Sequence, residues 1–427
     1  MQIHFSLPTH NDKCYPISDT DSDTAPDLVG DLINSVYPVP VFVSTIDKPA
    51  MSISTSLLTP HERCMEARQR WLANGDLDMV ETTFRNALMA TKTVRTKEGK
   101  RQKVQALSKK DYRSAAERMA LLLCQSGRAT RAKTGLERLG YSCRLASQVL
   151  DYPLVAVRQD SRLFQQCPCR IYDNFLSNNE LQHLHSAFSD PTASYWVDHD
   201  YEVEPPSPYF SYLIRRKDFH QYGFIGALMK KVHQHLIQDF PQLDAATTVE
   251  MWAHNRPHAS GHQLHFDSDN EGQDGVRNPI LSTILYLTGD AGGPSLVTNQ
   301  TLAGTELASK GWLSHPKEAR LVAFDGRVLH GVIPGKGQGN ERRITLMFAF
   351  WQDIQMRKGD QPGAARPFPT NSVWSQLLRK EVKVEKISLD AIPDKPIALD
   401  HIYETLDGGL WTKTMGFPEY EKVFQGF

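Results

Sequence analysis

Hydrophobic and polar positions follow three different patterns along the 427 residues of this chain. Over residues 1–58 no period is sustained, and Ser, Thr, Asp and Pro dominate. This segment is expected to be a loose, flexible tail with one short extended piece at Val41-Phe42-Val43. Over 59–165 apolar residues recur at helical spacing. Met65, Trp71 and Leu72 mark one helix, Met79, Phe84, Leu88 and Met89 a second, and a third is expected near Tyr112–Cys124. From 166 the pattern changes again. Ile171 to Ser177 predicts a strand that leads into a capped helix over Asn179–Phe188, and Tyr222–Phe240 predicts a second amphipathic helix. The runs then become short, apolar and β-branched: Thr247–Trp252, Gln263–Phe266, Ile280–Leu287, Ser295–Thr298, Arg320–Phe324, Val328–Val332 and Arg343–Trp351. Turns such as Gly292-Gly293-Pro294 and Pro334-Gly335 separate them. Many short strands between such turns predict a mainly β core, a sandwich or jelly roll, with flanking helices and an α-helical region before it. Residues 353–427 are Pro-rich, with helices expected at Ser372–Lys380 and Glu419–Phe424, and should wrap around the core.

Composition sharpens this picture in two places. Hydrophobic content of 40% and charged content of 23% are those of a globular protein large enough for two folded units plus tails. The net charge of −1 hides an asymmetry: residues 61–150 carry 19 Lys and Arg against 9 Asp and Glu. Most of that excess lies between Lys92 and Lys110. This stretch reads as a solvated helical hairpin, with binding of an acidic substrate or partner as the alternative. No run approaches ~20 apolar residues, and the N-terminus has no apolar signal core, so a soluble, cytoplasmic, reducing setting is expected. Of six cysteines, only Cys167-Pro168-Cys169 has the spacing of a metal or redox pair. Without a second pair, it reads as packing or surface thiols.

The candidate chemistry lies in His265-Phe266-Asp267, His330 and Arg343. Alternate residues of a strand share a face, so His265 and Asp267 point inward together and Phe266 points outward. His330 falls in a different strand, Arg327 to Val332. Two imidazoles and one carboxylate leave the opposite side of a metal open, which is the ligand set of non-heme Fe(II) oxygenases. His10-Asn11-Asp12 has the same spacing, so the pair alone decides little. The pair, a later strand histidine and an arginine heading the next strand form a far more specific set. That guanidinium can hold the carboxylate of a bidentate ligand such as 2-oxoglutarate.

These motifs resemble the prolyl 4-hydroxylase-like branch of the Fe(II)/2-oxoglutarate-dependent dioxygenase superfamily. The likeness is carried by Asp173-Asn-Phe-Leu-Ser177, His265-Phe-Asp267, Leu285-Tyr286-Leu287, Gly292-Gly293-Pro294-Ser295, His330-Gly-Val-Ile-Pro334 and Arg343 to Trp351, in that order. It covers about 180 residues, and the flanks do not share it. The resemblance implies a double-stranded β-helix over 166–352, preceded by the tail (1–58) and a basic helical region (59–165), and followed by a C-terminal extension (353–427). It implies that His265, Asp267 and His330 hold Fe(II), with 2-oxoglutarate and O2 as cosubstrates. It also assigns the C5 carboxylate of 2-oxoglutarate to Arg343 rather than Arg342, with Tyr286 and Thr345 beside it. Arg215, Arg216, Asn255, Arg256 and His262 are the expected substrate contacts, whereas Asp269 and Glu271 read as loop acids.

The expected activity is oxidation of an unactivated C–H bond by hydroxylation, desaturation or oxidative cyclisation, with release of succinate and CO2. Asp267 fills the place that a halogenase leaves for chloride. The unfamiliar flanks point to a small, carboxylate-bearing metabolite of specialised metabolism. A prolyl-type protein hydroxylase is the alternative. A kainoid-synthase-like cyclase and a nucleic-acid demethylase rank lower, the latter because the basic region lacks interleaved aromatics. A binding module with a dead site is disfavoured by the intact ligand set. Neither nucleic acid nor membrane is an expected partner, and the oligomeric state stays open.

Overall fold

The structure is a computed structural model that describes residues 2–3, 58–73, 75–155, 161–201, 210–269, 276–304, 307–337, 339–354, 365–385, 392–406 and 422–427. The extended piece expected at 41–43, together with Cys14 and Glu271, lies outside these residues.

Eight strands position the site: β1 (Thr248–Pro257), β2 (His262–Asp267), β3 (Leu281–Tyr286), β4 (Ser295–Thr301), β5 (Lys310–Ser314), β6 (Leu321–Asp325), β7 (Val328–Val332) and β8 (Arg342–Trp351). They divide between two sheets. One is ordered β1-β8-β3-β6 and the other β2-β7-β4-β5. Every pairing among these eight is antiparallel. Ser211–Arg215 extends the first sheet beside β1, and Cys169–Asp173 extends it beside β6. All six residues of β3 are buried, because both faces of this sheet are covered. That explains why such strands read as continuous apolar runs rather than as alternation.

The outer face of the first sheet packs on α4 (Asn178–Phe188) and α5 (Gly223–Leu236), which share a cluster with Phe348, Phe350 and Leu321. Alternate residues of the same strands, including Tyr286, Val322 and Phe324, turn to the other side and meet Val297 and Trp312 of the second sheet. The approach to α4 follows from its sequence. Asp173 ends a strand and binds Arg320 through Nε at 2.6 Å, Asn174 takes a left-handed turn (φ 53°), and Ser177 with Glu180 forms a capping box.

The outer face of the second sheet is covered by α1 (Pro60–Leu72), α2 (Leu77–Met89) and α3 (Lys109–Gln125). Thr59, Asp76 and Ser108 cap them with side-chain oxygens. Residues of these helices share one apolar cluster with Leu264, Phe266, Leu296 and Leu329 of the sheet. Between α2 and α3 the basic stretch forms a β-hairpin, Thr91–Arg95 paired with Arg101–Gln105, not the helical hairpin expected. Its Thr-Lys-Thr-Val-Arg run favours extended backbone, and Gly99 (φ 80°) makes the turn. At the C-terminus, Val423 and Phe424 form a strand parallel to Cys143–Leu145, where a helix was expected. The two residues are β-formers, and an open strand edge beside an apolar cluster is available to them. Among the described residues, no helix is long and apolar enough to cross a membrane.

Candidate active site

β2 and β7 are neighbours, and their register sets His265 opposite His330. Asp267 follows two residues later on the same face, while Phe266 points the other way into the helical cluster. The ligand atoms of His265, Asp267 and His330 all lie within 4.8 Å of one another. Asp267 Oδ1 is 3.5 Å from His265 Nε2 and 3.6 Å from His330 Nε2. All three side chains are buried.

Their supports are specific. The His265 Nδ1–H donates to the Gln263 carbonyl at 2.8 Å, and the His330 Nδ1–H to the Val328 carbonyl at 3.0 Å. Each bond selects the tautomer whose Nε2 lone pair faces the centre. Ser282 Oγ–H donates to Asp267 Oδ2 at 2.6 Å, whereas the buried Oδ1 accepts no hydrogen bond among the described residues. A buried carboxylate oxygen in that condition is costly unless a cation meets it. Burial alone would raise the Asp267 carboxyl, but the imidazoles of His330 and His265 hold it below the usual carboxylate range. Burial, with His265 beside it, pushes His330 down to about 4. Two imidazole nitrogens and one carboxylate oxygen thus converge on the centre, a donor set that fits a divalent metal.

These residues open on a narrow cavity of about 40 Å³, whose wall includes Arg256, His262, Arg343 and Thr345. Arg343 is only 3% exposed, and its Nη1 has no hydrogen-bond partner among the described residues. A buried guanidinium calls for an anion. Gly292 (φ 84°) lies against it, where a Cβ would come within 3.1 Å of Arg343 Cδ. Tyr286 is fully buried and is not itself in the cavity wall, but shares a 2.7 Å hydrogen bond with Ser295 Oγ, which is.

The other expected residues divide. The His262 ring centroid is 4.8 Å from that of His265. Arg256 stands opposite Arg343 in the β1–β8 register, with its guanidinium 5.5 Å over the Tyr201 ring. Asn255 does not face the cavity: its Oδ1 accepts from Arg342 Nε, and its carbonyl accepts from Arg342 Nη2 at 2.7 Å. Asn255 and Arg342 thus satisfy each other on the opposite face. Arg215 and Arg216, expected at the mouth, are not brought to the cavity. Arg215 pairs with Thr248 at the far end of β1, roughly 26 Å along the strand from Arg256. Arg216 Nη1 lies 3.6 Å from Asp244 Oδ1. The sequence reading missed Trp252, His254, Ser282, Phe324 and Met347, all in the cavity wall. Trp252 and His254 alternate with Arg256 on β1, so a signal for these two was present.

No family model and no curated protein matches the sequence. Solved structures do match. One is a Pseudomonas putida prolyl-4-hydroxylase, at 19% identity and a TM-score of 0.29, covering 44% of this chain and 95% of that one. Another is SnoK, a non-heme α-ketoglutarate-dependent carbocyclase from nogalamycin biosynthesis, at 11% identity and a TM-score of 0.33, covering 50% and 94%. A third is HygX from Streptomyces hygroscopicus with iron bound, at 10% identity and a TM-score of 0.30, covering 50% and 96%.

Proposed function

We propose that this chain is an Fe(II)- and 2-oxoglutarate-dependent oxygenase that oxidises an unactivated C–H bond of a small, carboxylate-bearing metabolite. One observation carries the reading. A buried three-ligand cluster, with a carboxylate oxygen that accepts no hydrogen bond among the described residues, shares a cavity with a buried arginine whose Nη1 likewise has no hydrogen-bond partner among them. The strand orders β1-β8-β3-β6 and β2-β7-β4-β5 support reading the core as a double-stranded β-helix.

When bound, the metal and 2-oxoglutarate supply the oxidising power of O2, with succinate and CO2 as coproducts. The chain's own residues hold and shield that chemistry. His265 Nε2, His330 Nε2 and Asp267 Oδ1 offer the metal three ligands, and Ser282 fixes the carboxylate's orientation through Oδ2. Arg343 takes the distal carboxylate of the cosubstrate, and Gly292 leaves room beside its side chain. Phe324, Trp252 and Met347 line the cavity with apolar surface that limits water. Arg256 and His262 stand on the same wall and offer a cation and a polar ring to a substrate carboxylate.

The test is a screen of amino-acid-derived acids beside proline-rich peptides, with succinate as the readout. Small acids should raise succinate above the background without substrate. Stimulation by peptides alone would replace this reading with the prolyl-type protein hydroxylase. The product's mass then separates hydroxylation, a gain of one oxygen, from desaturation or ring closure, a loss of two hydrogens. His330→Ala should abolish both iron binding and succinate formation, and full iron occupancy in that variant would discard the ligand set.

A further inference from the structure

Cys167 and Cys169 stand apart from the other described thiols. Their Sγ atoms are 3.5 Å apart, with only Pro168 between them in sequence. Cys167 is half-buried, whereas Cys169 lies buried behind it. Arg170 Nη1–H donates to the carbonyls of Cys167 and Cys169 at 3.2 and 2.9 Å, which fixes the backbone and brings positive charge to the pair. Their hydrogen bond lowers the Cys167 thiol and raises that of Cys169, and burial raises Cys169 further. The remaining described cysteines behave oppositely to Cys167. Burial pushes Cys64 and Cys124 up to about 11 and Cys143 up to about 12. A half-buried sulfur 3.5 Å in front of a buried thiol, with a cationic Arg170 beside it, is the arrangement of an attacking and a resolving cysteine.

We propose that Cys167 and Cys169 are a peroxide-reactive dithiol that closes to a reversible disulfide. The Cys167 thiolate attacks one oxygen of hydrogen peroxide. An S–O bond forms, the O–O bond breaks, and the departing hydroxide takes a proton to become water. The Cys169 sulfur then attacks the resulting sulfenic acid. The S–S bond forms, the S–O bond breaks, and hydroxide leaves as water with the proton from Cys169. In sum, two thiols and one peroxide give one disulfide and two waters: the sulfurs are oxidised and the peroxide oxygens reduced. Closure brings the sulfurs from 3.5 Å to about 2.05 Å, the length of a disulfide. The reaction would take place at the back of the candidate metal pocket. Cys169 pairs with Phe324 of β6, and the Phe324 ring centroid lies 4.6 Å from that of His330.

The experiment treats the full chain, under chelator, with an equivalent of hydrogen peroxide, then alkylates free thiols and maps them by mass spectrometry. The peptide spanning 167–169 should lose two hydrogens and resist alkylation at both positions, and dithiothreitol should restore it. Cys167 should react before Cys64, whose thiol has no second described thiol beside it and is pushed up by burial. Cys169→Ser should stop the reaction at a sulfenic acid on Cys167 that dimedone traps, and Cys167→Ser should leave Cys169 unreacted. The proposal is overturned if Cys64 reacts first, or if Cys167 proceeds to the sulfinic acid while Cys169 remains alkylatable. Because the readout needs no iron and no turnover, its outcome is independent of the oxygenase reading.

Discussion

Arg342 and Arg343 are adjacent and chemically identical, yet the strand assigns them opposite tasks. Arg342 turns to Asn255 and is satisfied within the fold. Arg343 turns inward and keeps Nη1 for something else. Removing one partner of a buried charge pair typically costs ~3–5 kcal/mol, a hundredfold or more in affinity. Arg343→Ala should therefore raise the apparent requirement for 2-oxoglutarate at least a hundredfold in steady-state succinate assays. Arg342→Ala should mainly lower the melting temperature. The reverse pattern would mean that the cosubstrate is held from the other face. Strand parity made legible that only one of the two arginines can face inward, and that His265 and Asp267 point the same way, whereas the choice of Arg343 over Arg342 came from the family resemblance. The partner of Asn255 was not legible, since it comes from a strand 87 residues later.

At the scale of elements, the strands containing the proposed metal ligands were readable to within a residue or two, and those with mixed composition were not. β5 escaped notice because Lys310 and Gly311 weaken a run whose apolar residues are only Trp312 and Leu313. β1 was read as ending at Trp252, but it continues to Pro257, carrying His254 and Arg256 to the cavity. Arg215 and Arg216 show a different limit: closeness in sequence to the core does not say which end of a strand a residue joins. The loop before β4 gives a sharper test. At Gly292, with φ 84°, a Cβ would crowd Arg343, and a left-handed conformation costs a non-glycine residue about 1–2 kcal/mol. Gly292→Ala should lower the melting temperature by several degrees and weaken 2-oxoglutarate binding while leaving iron affinity unchanged. Loss of iron affinity with normal cosubstrate binding would refute this role for the loop.

At the scale of the molecule, the helices α1–α3 and the second sheet share one cluster of buried side chains. A metal that binds only the native state stabilises it by about 2.7 kcal/mol at a hundred times its dissociation constant. If that cluster makes the two layers a single cooperative unit, metal should protect both alike. Anaerobic addition of Fe(II) should slow hydrogen exchange at the amides of Leu121–Cys124 in α3 by the same factor as at those of β7. Slowing confined to β7 would show that the helices open independently.

Phe266 gives that arrangement a consequence for how such a chain can change over generations. The residue between two of the proposed metal ligands has its ring fastened in the cluster that the helices share with the sheet, so it works as a rivet driven through the sheet. A substitution in the helical part of that cluster that loosens the rivet would tilt His265 and Asp267 without replacing either. Iron retention would then be adjustable from the far side of the sheet, through residues that a comparison of ligand sets alone would pass over as mere scaffolding.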